Sequence, residues 1–171
     1  MRILVGDDYS GVFRDVIDRC DALARETAGQ RTAELALRGC RAVLMAMTGR
    51  YDQERSSMVE ARTGLAELNV GGFAAYLLLL EAIAETLAGN AVSAERAVRE
   101  AGSMISESSD RWYLAFIHVD LAHALLAQNR RPEATDAVAR IDTLPAPCDA
   151  EWVIKRHTAR ALLAAQTGEP E

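Results

Sequence analysis

Aromatic residues are scarce in this chain: three Phe, two Trp and four Tyr, or 5% of 171 residues. A β-sandwich core draws on Val, Ile, Thr, Tyr and Phe, whereas closely packed helices are well served by Ala and Leu. The scarcity argues against a sandwich. Proline is scarce too, and all four copies follow Arg131, outside the apolar helical stretches or at their starts. Cysteine is limited to Cys20, Cys40 and Cys148, an odd and widely spaced set with no CxxC and no Cys/His cluster, so no zinc site is expected. Cys20 and Cys40 fall in apolar helical settings and read as small buried side chains, and Cys148 sits in a Pro-containing loop. Unpaired thiols point to a reducing, cytoplasmic setting.

Excess positive charge is missing as well. The net charge is −6 and the pI about 5.2, which argues against direct contact with nucleic acid. The short basic clusters Arg130-Arg131 and Lys155-Arg156-His157 read as solvated helix surface. There is no long hydrophobic run: the most apolar stretch, Phe73 to Ile83, is too short to span a bilayer and carries Glu81, so no membrane association is expected. Met1-Arg2-Ile3-Leu4-Val5 meets Gly6-Asp7-Asp8 at once, so no signal peptide is expected. No phosphate-binding Gly-x-x-x-x-Gly-Lys-Ser/Thr loop occurs, and no glycine-framed nucleophile surrounds Ser56-Ser57 or Ser106-Ser108-Ser109. The carboxylates Asp7, Asp8, Glu107 and Asp110 show no convergence across a cleft, as general acid/base work would need. No enzyme activity, cofactor or metal is expected.

What the chain does have is a period. Gly49, Gly89 and Asn129 stand forty residues apart, and Gly168 follows after thirty-nine. Gly and Asn tolerate the left-handed conformation that ends a helix. Seven residues before each lies an alanine: Ala42, Ala82, Ala122 and Ala161. A small side chain two turns before a helix end suits a close helix crossing. A fixed period with matching columns marks a repeat protein.

Between these turns the apolar residues recur at helical spacing. After an irregular segment at 1–9, the pattern predicts helices over about 10–27 (capped by Ser10), 31–48, 52–68, 72–88, 91–106, 110–128, 132–143 and 149–167, with Asp110 and Asp149 as N-caps and Pro132 in a first helical turn. The even-numbered helices are the more apolar. On the fourth, Phe73, Tyr76, Leu77, Leu80, Ile83, Ala84 and Leu87 make one face while Leu78, Leu79 and Ala82 extend round the back, which predicts packing on more than one side.

Gly49-Arg50-Tyr51-Asp52-Gln53-Glu54 resembles the inter-helix turn of the tetratricopeptide repeat (TPR), and so does Asn129-Arg130-Arg131-Pro132-Glu133-Ala134. The resemblance covers about residues 10–171, with a period some six residues longer than the usual TPR; HEAT and armadillo repeats, of about 40–47 residues, are the structural runner-up. It implies an all-α, right-handed TPR-like solenoid of about eight antiparallel helices. Long hairpins of this composition also resemble the helical-repeat regions of large bacterial, notably actinobacterial, signalling and transcriptional regulators. Met1 to Asp8 resembles the first strand and acidic pair of a response-regulator receiver, but that likeness stops after eight residues, and helices follow where strands are required.

The resemblance implies a non-enzymatic protein–protein interaction scaffold, binding a protein, a peptide or a second copy of itself. The alternative is a sensor for a small-molecule effector. The chain reads as a piece of a longer repeat array, with apolar end faces prone to self-association. Polar side chains on the apolar even helices are the candidates for a ligand-facing groove: Arg38, Arg41, Glu81, Glu85, His118, Asp120, Arg156 and Arg160. His118 and His123, five apart, diverge by about 140° and do not suit a shared metal.

Overall fold

Five helix ends in this chain, those of the first four helices and the sixth, are followed by left-handed residues at multiples of twenty from one another. In the computed structural model, described over residues 7–105, 111–144 and 150–167, Gly29, Gly49, Asn69, Gly89 and Asn129 all have φ between 58° and 88°. At four of them the turn has one form. The left-handed residue donates its amide to the carbonyl three back, and the next amide reaches five back. Gly49 bonds Ala46 and Arg50 bonds Met45; Asn69 and Val70 reach Ala66 and Leu65; Gly89 and Asn90 reach Thr86 and Glu85; Asn129 and Arg130 reach Leu126 and Leu125. These bonds satisfy carbonyls that a helix end leaves open. The residue after the left-handed one is already the N-cap of the next helix, without a side-chain cap bond.

The described residues form eight α-helices and no strand: α1 (Asp7–Glu26), α2 (Arg31–Met47), α3 (Tyr51–Glu67), α4 (Gly71–Leu87), α5 (Ala91–Met104), α6 (Arg111–Ala127), α7 (Arg131–Ile141) and α8 (Ala150–Thr167). From α2 to α7 the bounds lie within two residues of the sequence expectation, and Pro132 does sit in the first turn of α7. The first helix differs. It begins at Asp7, so Ser10 lies inside it and does not cap it. The expected caps Asp110 and Asp149, the Cys148 loop and the Gly168 turn lie outside the described residues.

Each helix packs on the next, and α2, α4, α6 and α8 also pack on one another in succession; among the described residues no two odd-numbered helices bring their backbones into contact. The even helices therefore make a continuous row, with the odd helices spaced apart along it. This explains the apolar excess of the even series. Ala74 and Leu77 of α4 join a core with Leu35, Val43, Met58 and Leu65, while Ala75, Leu78, Leu79 and Ala82 join a second core that runs on to α8.

Ala42, Ala82 and Ala122 are buried as their column predicts. Ala161 is exposed, because among the described residues α8 packs only on α6 and α7. Two helical glycines also stand at close approaches. A Cβ on Gly39 of α2 would come within 2.5 Å of Leu77 on α4, and one on Gly64 of α3 within 2.8 Å of Leu35 on α2. Cys20 and Cys40 are half-buried free thiols rather than core; burial pushes both thiols up from their ordinary pKa. No helix among the described residues is long and apolar enough to cross a membrane.

Candidate functional site

The eight polar candidates do not converge on one groove. Arg41 of α2 gives its Nε to Asp21 of α1 at 2.8 Å, and Arg38 meets Glu60 of α3 at 2.6 Å. Arg160 of α8 pairs with Asp142 just past α7. Glu85 of α4 receives Arg55 of α3 at 2.7 and 3.1 Å and the Asn90 side chain at 2.9 Å. Glu81, one turn earlier, lies 3.4 Å from the Arg62 Nε of α3, an ion-pair distance without hydrogen-bond alignment. These five side chains thus engage odd-numbered helices or the segments that follow them. Asp120 is buried, and Arg156 and His118 are half-buried.

Glu81 and Glu85 line a cavity of about 20 Å³ between α2, α3 and α4, room for one water. Their electrostatics diverge. Burial pushes the Glu81 carboxyl up against the opposing pull of Arg62 and Arg96. Burial acts upward on Glu85 too, but the hydrogen bonds from Arg55 and Asn90 outweigh it and hold this carboxyl below its usual range. One repeat on, the charges exchange places. Glu95 of α5 stands in the column of Arg55, and Arg130 in that of Asn90, each forty residues later. Glu95 accepts from Gln128 and Arg99 at 2.8 Å and Arg130 at 2.5 Å. Both networks tie the turn after an even helix to the odd helix before it.

Because odd helices stand apart, a groove opens over each even helix that lies between two of them. Over α4 it is filled: Arg62 of α3 reaches Glu81 beneath it and Glu100 of α5 across it, the latter at 2.8 Å. Over α6 the same three columns read Gly102, Leu121 and Arg140. The filling side chain is gone, and a groove of about 460 Å³ remains between α5, α6 and α7. Val98, Ile117, Leu121, Leu125 and Ala137 supply apolar walls, with Arg99, His118, Glu133, Asp136 and Arg140 among them. His118 occupies the column of Leu78, which is fully buried. Its Nδ1 is shut off from solvent and makes no hydrogen bond. Burial, and then the nearby Arg140 cation, push its pKa below the ordinary histidine value.

Of the eight candidates, only His118 lines this groove. Its other polar residues lie on amphipathic odd helices, where a charged side chain looks like ordinary surface. The signal that could have found them was the exchange of Arg62 for Gly102, and of Glu100 for Arg140, one period later.

Three or more metal-ligating side chains are nowhere gathered among the described residues. Fold and groove together define an all-helical protein of successively packed helices with a forty-residue period. Comparison with protein-family models, curated proteins and solved structures finds no match to the chain.

Proposed function

We propose that this chain is a non-enzymatic protein-binding module, built as a right-handed TPR-like solenoid of antiparallel helix pairs. The observation that carries the reading is an apolar stripe along α4. Phe73, Tyr76, Leu80, Ile83 and Leu87 follow one another at spacings of three and four, roughly opposite the face of α4 that meets α3 and α5. Phe73 is 42% exposed, and the other four are half-buried. The ring stack Phe73–Tyr76–Tyr113 continues the stripe edge-to-face onto α6, with centroids 5.9 and 6.4 Å apart. Aromatic and aliphatic anchors of this kind dominate protein interfaces. The occupant it fits is a partner segment presenting apolar side chains. The resemblance to helical-repeat arms of bacterial regulators supports a regulatory setting.

A photo-crosslinking residue at Leu80 is expected to capture a partner protein that the same residue at Val92, 71% exposed on α5, does not. Leu80→Glu should then weaken binding of that purified partner by about 2 kcal/mol or more, as for an interface hot spot. Identical adducts from both positions, or unchanged affinity in Leu80→Glu, would sink the reading.

A further inference from the structure

The groove over α6 differs from its neighbour over α4 in a way that asks for a ligand. In the earlier repeat, one cation stands between two carboxylates across the groove: Arg62 lies 3.4 Å from Glu81 and 2.8 Å from Glu100. In the later one, the Glu100 column carries Arg140 and the Glu81 column carries Leu121. The cation now stands on the opposite wall, and among the described residues no carboxylate pairs with it.

Neighbouring charges do not fill the gap. Arg99 is held by Glu95, and Glu133 by Arg130. Asp136, four residues before Arg140 on α7, makes no ion pair with it, and Arg140 has no partner among the described residues. At the groove wall stands His118, a polar ring where the preceding repeat holds the buried Leu78. The surrounding walls are apolar, and the volume lies in the range that small ligands occupy.

We infer that this groove binds a small carboxylate carried on an apolar body, its anionic end between Arg140 and His118 and its tail along Ile117, Leu121 and Leu125. The site is separate from the apolar stripe on α4, so it stands or falls independently of the partner-binding reading. The ligand completes what Glu81 and Glu100 complete in the preceding repeat. Asp136 works against it, which makes a further variant informative.

The test is an NMR titration of the intact chain, reading the His118 imidazole, with hexanoate and benzoate as probes. Saturable shifts at His118 are expected with both, together with a rise in its pKa, because a bound anion favours the protonated ring. Hexanamide, which lacks the charge, and inorganic phosphate, which lacks the tail, should bind at least roughly tenfold more weakly. Arg140→Gln should weaken hexanoate roughly tenfold, the loss expected for one charge-assisted hydrogen bond, and Asp136→Asn should tighten it. Gly102→Arg, which restores the filling side chain of the previous repeat, should abolish binding. Gly102→Ala should preserve it, since a Cβ there meets only Ile117 at an ordinary 3.6 Å. If Gly102→Arg loses helicity, Arg140→Gln on the exposed face of α7 decides alone. Equal binding of hexanoate and hexanamide, an unchanged affinity in Arg140→Gln, or no saturable shift at His118 would overturn the proposal.

Discussion

Leu77→Ala is expected to destabilise the fold by about 2–5 kcal/mol, the range for emptying a well-packed leucine site. The informative result is what it does to its neighbour. Leu77 is fully buried in the core between α2, α3 and α4. Gly39 on α2 faces it so closely that an added Cβ would lie 2.5 and 2.8 Å from its two methyl carbons. Gly39→Ala alone gains about 1 kcal/mol of helix propensity but forces overpacking of about 1–3 kcal/mol. The net effect is destabilising, because a leucine packed on all sides has little room to swing away. With Leu77 already truncated, the clash is gone and the new methyl partly fills the void. Gly39→Ala should then stabilise, so its sign reverses with background. Urea unfolding of the four proteins in a double-mutant cycle measures this directly. Additive effects, or a stabilising Gly39→Ala in the wild type, would show that α2 and α4 do not approach as closely as the glycine implies. Gly102→Ala is the internal control. With only an ordinary contact to Ile117, it should stabilise by about 0.5–1 kcal/mol.

That coupling also shows what the sequence could and could not reveal. The turns were legible because they are local: Gly49, Gly89 and Asn129 each end a helix through their own left-handed backbone. The intermediate turn at Asn69 repeats the same geometry, so the underlying spacing is twenty residues, one helix and one turn. A forty-residue reading catches only every second event, because it follows the alanine column, which belongs to the even helices. The alanines were read as the points of closest crossing. Gly39 and Gly64 are close approaches as well, and a mid-helix glycine by itself does not say which helix approaches it. The candidate site suffered from the same non-locality. Polar residues on apolar helices are conspicuous, and this brought out Glu81, Glu85 and Arg41. Their partners Arg62, Arg55 and Asp21 sit on amphipathic helices among many other charges, so nothing in one dimension distinguishes them. The groove over α6 is legible only once Arg62 is known to fill its counterpart.

Glu81 and Glu85, one turn apart on the same helix, are expected to respond oppositely to the same substitution. Both are almost fully buried, at 5% and 6% exposure, yet only Glu85 has its charge fully answered, by a bidentate Arg55 and by Asn90. Glu85→Gln keeps the shape but loses the charge-assisted bonds, and should cost about 1–3 kcal/mol at pH 7. Glu81→Gln removes a charge that burial disfavours and that Arg62 meets without hydrogen-bond alignment. Arg62 retains Glu100 at 2.8 Å. This variant should be neutral or stabilising at pH 7. The pH dependence separates the causes. The Glu85 carboxyl is held below its ordinary value of 4.5 in the fold, so its stabilisation is complete above that value and is lost as pH falls through the folded pKa. The Glu81 carboxyl is raised above 4.5, so the folded state takes up its proton first. Its penalty exists only at higher pH and disappears as pH falls through its folded pKa towards 4.5. Unfolding free energies from pH 7 down into the acid should therefore show the Glu81→Gln advantage fading first, and the Glu85→Gln deficit shrinking only below 4.5. A Glu81→Gln deficit as large as that of Glu85→Gln would mean that Arg62 and Glu81 form a properly compensated pair. The filled groove over α4 would then be held by that pair, with Glu100 secondary, and the contrast with the open groove over α6 would rest on Leu121 rather than on Arg140.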